Sequence, residues 1–189
     1  VIRKRGCIVL WSGSRMNYTI IPIINMADKC TVTDEFLLAI WQRMIDEGKA
    51  RWVFYDGSIT TGDEWLLFIK SPLNYTLTVM DDNGAIRMIA WLNCYENKSA
   101  RVHYCNLGKY NRGVGKAVRE YWSNLRDQDG NRLLKTLVGI TPETNNLAVK
   151  MVKLLGFTVI GTIPHFCRMK YDGDRLVGGV ISYYCPNGG

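Results

Sequence analysis

A chain of 189 residues with 47% apolar and 22% charged side chains is long enough to bury one core and sits near the average for a globular domain, which argues against two domains. No apolar run approaches the ~20 residues that span a bilayer, and the basic-then-apolar start at residues 1–11 is too short in its apolar part for the ~7–15 residues of a signal core, so a cytoplasmic protein is expected. The formal charge of +7 allows an anionic partner, either nucleic acid or the phosphates of a coenzyme.

In chain order, residues 1–15 read as a loose N-terminal extension, because Met16 directly precedes the first convincing strand at residues 18–24. Phe36, Leu37, Ile40, Trp41, Met44 and Ile45 recur at helical spacing, with Thr33 or Asp34 as cap and Gly48 as stop. Thr61-Gly-Asp-Glu64 is a capping-box pattern and predicts a short second helix over residues 65–69, ending before Pro72. Strands follow at residues 75–80 and 85–92 around the turn Asp81-Asp-Asn-Gly84, and again at residues 100–107. A glycine-bearing turn at residues 109–115 leads into a helix over residues 116–126, whose apolar stripe is a core-packing face. A strand at residues 136–140 and a helix ending in Leu154-Leu-Gly-Phe157 come next. Two last strands, residues 159–171 and 176–185, meet at Asp172-Gly-Asp174, and residues 186–189 read as a frayed end. The result is a single α/β domain over residues 16–185, an α+β mixed sheet in the order β-α-α-β-β-β-α-β-α-β-β.

The six cysteines stand apart, without a Cys-x-x-Cys pair or zinc spacing, and read as reduced thiols with no metal site. Acidic residues gather in residues 28–64 and basic ones in residues 109–153. That division suits either a basic coenzyme end facing an acidic acceptor end or ordinary solvated faces.

The glycine turn carries the chemistry. A turn of this kind, running from a strand into a helix, aims unpaired N–H groups along the positive end of the helix dipole and suits a phosphate. A Walker loop would need Lys and Ser/Thr after its last glycine, where Val114 follows Gly113. The dinucleotide fingerprint would need a small residue where Val118 stands. What the turn resembles is the acyl-coenzyme A loop of the GNAT N-acetyltransferase superfamily, Gln/Arg-x-x-Gly-x-Gly/Ala. Two registers are open, Tyr110-x-x-Gly113-x-Gly115 and Arg112-x-x-Gly115-x-Ala117; the first aligns better with the family's loop-to-helix junction and puts Tyr110 in the place of Gln or Arg. Asn145-Asn-Leu-Ala148 followed by Gly156-Phe157 is similar to the family's second coenzyme-side motif. The resemblance covers residues 74–172 closely and the earlier part by element order, which is also similar to that of small GNAT-like proteins of tailed phages.

The resemblance implies acetyl-CoA as cofactor and direct transfer of its acetyl group to a primary amine on a small molecule or protein, by a monomer or homodimer, with no membrane partner. Nucleic acid is disfavoured, because the basic residues track the coenzyme loop. It places coenzyme against the backbone of Cys105, Asn106 and Leu107, against Tyr110, Asn111, Arg112, Gly113, Val114, Gly115 and Lys116 of the loop, and against Asn145 and Asn146. For the base, His103 and Glu143 are the candidates, with His165 a third; a histidine's ordinary pKa of ~6.5 suits proton removal, while Glu143 equally suits a first-turn helix acid. Many GNAT enzymes carry a tyrosine, the acid for the leaving thiolate, where this chain has Val152. Tyr104, Tyr110 and Cys105 are the nearby substitutes. The alternative is a GNAT-like protein without catalysis, an acyl-CoA-binding accessory or assembly factor.

Overall fold

A computed structural model of the chain describes residues 9–13, 16–26, 29–109 and 111–186. Its elements in order are β1 (Val9–Gly13), β2 (Met16–Ile23), β3 (Asn25–Met26), β4 (Lys29–Cys30), α1 (Asp34–Asp46), α2 (Ala50–Val53), α3 (Gly62–Lys70), β5 (Tyr75–Asp81), β6 (Ile86–Glu96), β7 (Ser99–Asn106), α4 (Arg112–Ser123), β8 (Thr136–Pro142), α5 (Asn146–Leu154), β9 (Thr158–Met169) and β10 (Arg175–Tyr184). Every expected element is present in the expected order. The additions are β1, within the segment read as an extension, the small β3–β4 ribbon and the one-turn α2, all too short to leave a periodic signal.

Local chemistry explains the boundaries. Thr33 accepts the Phe36 N–H at 3.3 Å to open α1, and Gly48, at φ +64°, ends it in a conformation costly to other residues. At α3 the capping box is reciprocal: Glu64 N–H donates to Thr61 Oγ1 at 3.2 Å, and Glu64 Oε2 accepts the Thr61 N–H at 3.0 Å. Asp81 Oδ1 takes the N–H groups of Asn83 and Ala85 and so shapes the β5–β6 turn. One boundary differs from the sequence reading. The helix expected from residue 116 starts at Arg112, capped by Asn111, so Gly113, Val114 and Gly115 form its first turn instead of a preceding loop.

Eight strands form one sheet in the order β1-β2-β5-β6-β7-β8-β10-β9, and β3–β4 form a separate ribbon. All neighbours in the large sheet are antiparallel except β7 and β8. Side-chain alternation divides the core in two. Met88, Ala90 and Leu92 of β6 and Val102 of β7 pack with Val114, Val118 and Trp122 of α4 and Val152 and Leu155 near α5. Ile89, Trp91 and Cys105 point the other way, onto Leu37, Ile40 and Trp41 of α1 and Trp65 of α3. Among the described residues no helix is long and apolar enough to cross a membrane.

Candidate functional site

The parallel ladder between β7 and β8 is short. Ser99, Ala100 and Arg101 pair with Thr136, Leu137 and Val138, and beyond Arg101 and Val138 the strands part. Which backbone groups face the gap follows from the ladders on either side. Leu107 N–H donates to Arg87 O at 2.9 Å, and because a strand's amides alternate sides, those of Cys105 and His103 turn the same way, toward β6. The N–H and C=O groups of Tyr104 and Asn106 therefore face the gap. Across it, Glu143 N–H donates to Gly178 O at 2.8 Å, so Thr141 and Gly139 turn toward β10, while Ile140 N–H and C=O and Pro142 C=O face β7. Of the strand positions read as coenzyme contacts, Asn106 offers its amide to the gap; Cys105 and Leu107 spend theirs within the sheet.

A cavity of about 860 Å³ fills this gap. One wall is α5, where Ala148, Met151 and Val152 line the space. Asn145 caps this helix, its Oδ1 accepting the Ala148 N–H at 3.1 Å, and Asn146 is its first residue. The other wall is the turn from α1 through α2, contributing Lys49, Arg51, Trp52 and Tyr55. No sequence motif marks that second wall. It is pinned by Glu47, whose Oε2 accepts the Gly108 N–H at 2.7 Å and whose Oε1 accepts from Arg43 Nε at 2.8 Å.

At the start of α4, whose residues are not in the cavity lining, Asn111 Oδ1 accepts the Gly113 N–H at 2.8 Å and Asn111 O accepts the Val114 N–H at 3.2 Å, with exposed Arg112 and Lys109 and half-buried Lys116 around the turn. The two glycines have different reasons. A Cβ on Gly113 would come 3.1 Å from the capping Asn111 oxygen and 3.2 Å from Tyr18 Oη; one on Gly115 would lie 2.7 Å from Leu155 Cδ2. Gly115 thus lets α4 close on the end of α5, an arrangement that Arg112 and Arg119 fasten by donating to Leu154 O and Leu155 O. Tyr110 lies outside the described residues.

His103 lines the cavity with its ring stacked on Trp91, centroids 5.1 Å apart and planes 8° from parallel, and Nε2 donating to Asn93 Oδ1 at 3.0 Å. Burial, aided by the charge of Arg101, pulls its pKa down to about 4. The ring is neutral at pH 7 and too weak a base to hold a proton there. Burial pushes the Cys105 thiol up to about 12, which keeps it a thiol. Glu143 is exposed and does not line the cavity; its Oε1 accepts the Gly178 N–H at 2.7 Å. His165 is exposed on β9, at φ +56°. Val152, 6% exposed, stands on the cavity wall where the resembled family has tyrosine. Tyr104 also lines the cavity, yet its hydroxyl is buried without a hydrogen-bond partner among the described residues, as is that of Thr144 at the β8–α5 turn.

No family model and no curated protein matches the chain. Solved structures match along nearly all of it. They include a ribosomal-protein-S5-alanine acetyltransferase from Vibrio fischeri, 13% identical over 95% of this chain and 97% of that chain, TM-score 0.64. A spermidine N-acetyltransferase from Vibrio cholerae in complex with CoA and spermine is 12% identical over 88% and 95%, TM-score 0.64. A Salmonella typhimurium acetyltransferase that modifies the N-terminal serine of ribosomal protein L7/L12 is 8% identical over 89% and 94%, TM-score 0.69. The split sheet, with α4 beginning at its gap and α5 as one wall, is the fold of the GNAT N-acetyltransferases.

Proposed function

We propose that the protein binds acetyl-CoA in the gap between β7 and β8 and passes the acetyl group to a primary amine held against the α1–α2 wall. The observation that carries this reading is the pair of facing, unladdered strand edges. Buried backbone polar groups need partners, and Tyr104, Asn106, Ile140 and Pro142 offer donors and acceptors across a gap in which an extended chain with amides of its own, such as a pantetheine arm, would complete both ladders. The first turn of α4, with Arg112 and Lys116, suits the pyrophosphate. Acetyl-CoA would supply a thioester whose carbon–sulfur bond breaks as the amine nitrogen takes the acetyl group, the amine losing one proton and the sulfur gaining one.

The chain's own residues then orient and polarise. The inward N–H groups of Tyr104 and Asn106 are placed to meet a carbonyl oxygen as negative charge grows on it. Of the two base candidates, His103 serves as a neutral orienting ring on the acceptor side and Glu143 as the brace between β8 and β10. The ammonium proton leaves to water through the open mouth of the cavity, so the rate should follow the fraction of neutral amine. The rate then rises about tenfold per pH unit between pH 6 and 9 for an amine of pKa ~10.4. A plateau setting in near pH 6.5, or a hundredfold loss in Glu143→Gln, would restore a side-chain base.

One observation favours a second reading. An aliphatic Val152 on the wall removes the acid expected beside the sulfur, which suits a protein that binds acyl-CoA without turning it over. Calorimetry with acetyl-CoA, followed by thiol release over an amine panel, separates the two. Binding with turnover supports the enzyme, binding alone selects the accessory protein, and no binding removes both.

A further inference from the structure

The charges on the cavity wall are not those that a purely cationic amine would need. Among the described residues four charged ones line the space: Lys49 and Arg51 from the α1–α2 wall, Lys150 from α5, and Glu47. Glu47 is already committed on both oxygens, to Arg43 and to the Gly108 amide. None of the three cations forms an ion pair among the described residues. Asp56 and Glu143 do not line the cavity, and each has a backbone N–H to hold, that of Ser58 and that of Gly178. The acidic segment that the sequence shows at residues 28–64 therefore does not become an acidic wall.

The position of Lys49 and Arg51 matters as much as their sign. They belong to the α1–α2 turn, which packs on the face of the sheet opposite α4, whereas the cations suited to coenzyme phosphates, Arg112 and Lys116, stand on α4 itself. Arg51 lies over the Trp52 ring, 5.9 Å from its centroid, and Trp52 is 38% exposed at the cavity rim. The pair makes a flat, cationic shelf beside the place where the acceptor would approach.

We infer that the acceptor amine belongs to an anionic molecule, one bearing a carboxylate or phosphate that Lys49 and Arg51 hold on the α1–α2 wall while the amine reaches the gap. This deepens the acetyltransferase reading and rests on it. Amines whose remaining charges are all positive are repelled by the same two side chains, and attraction at such a half-exposed site fades as salt shortens the Debye length to ~8 Å and below.

The test uses matched acceptors with the intact protein at low and high salt: a peptide beginning Ser-Asp-Asp against one beginning Ser-Lys-Lys, phosphoethanolamine against ethanolamine, and spermidine. The acidic peptide or the phosphorylated amine should exceed its counterpart by about tenfold in kcat/KM at low salt, and the member that does so tells carboxylate from phosphate. The paired change Lys49→Glu with Arg51→Glu should erase or reverse the preference with acetyl-CoA affinity unaltered. Should no amine turn over, calorimetric binding of the two peptides to the CoA-loaded protein reads the same preference. Equal rates and affinities, a preference for spermidine or the basic peptide, or loss of acetyl-CoA affinity in the double variant would overturn the inference alone; wild-type protein that fails to bind acetyl-CoA would overturn the reading beneath it.

Discussion

Gly115 and Gly113 look alike in the sequence and differ in the fold. Gly115 is buried under Leu155, so Gly115→Val should cost about 1–3 kcal/mol by overpacking, seen as a lower urea midpoint, whether or not coenzyme is present. Gly113 sits half-buried in the first turn of α4, beside the Asn111 cap and the Tyr18 hydroxyl, where Gly113→Glu sets a bulky anion beside the first-turn amides. Calorimetry should show acetyl-CoA binding abolished in a protein that still folds; unchanged affinity would remove the phosphate site from α4. His103 carries a third consequence at this scale. Its folded pKa of about 4 lies below the ~6.5 of the unfolded chain. Between those values the unfolded chain binds the extra proton, so the contribution to stability is present above pH 6.5 and lost as pH falls toward 4, amounting to ~3 kcal/mol at most. The drop in unfolding free energy from pH 7 to pH 4.5 should shrink in His103→Gln, which cannot titrate. An equal drop in both proteins would contradict the neutral, stacked ring.

At the scale of elements, α5 decides what the cavity can do. Gly115 and the two arginine bonds to Leu154 O and Leu155 O fix the end of this helix, and with it the wall carrying Val152. If the protein is an enzyme short only of an acid, Val152→Tyr should raise acetyl transfer or leave it unchanged, measured as thiol release. If it is a binding protein, the variant should show no transfer and lose ~1–3 kcal/mol of stability. A robust wild-type rate lost in a folded variant would contradict the place assigned to Val152. Strand β7 makes the complementary point. Its sequence shows that a strand is there, but the turn of the Tyr104 and Asn106 amides toward the gap comes from its pairing with β6, which consumes the amide of Leu107.

For the molecule as a whole, the weak seam is the one where the site lies. Apart from the helices, β1 to β7 join β8 to β10 through a ladder that ends at Arg101 and Val138. A ligand that completes that seam should stabilise the whole fold by mass action, about 2.7 kcal/mol at a hundred times its Kd. Thermal unfolding with acetyl-CoA should therefore shift upward as one transition; a shift confined to part of the unfolding signal would mean the two halves melt apart.

Parts with local signals were legible along the chain: the apolar periodicity of α1, the capping box of α3, the Asp81–Gly84 turn, and the spacing of the glycine and Asn-x-x-Ala motifs that pointed to the GNAT fold. The sequence also marked Asn111, Gly113, Asn145 and Val152, all in the chain's second half. It took the packed fold to show that Gly115 serves helix packing, that Glu143 braces β10, that His103 is half-buried against Trp91, and that Lys49 and Arg51 line the cavity beside Glu47, whose carboxylate is already bound. Those outcomes depend on partners distant in sequence: Leu155 for Gly115, Gly178 for Glu143, Gly108 for Glu47. A charge or a hydrogen bond acquires its role from what stands opposite it, and a linear pattern does not specify that partner until the strands and helices have packed.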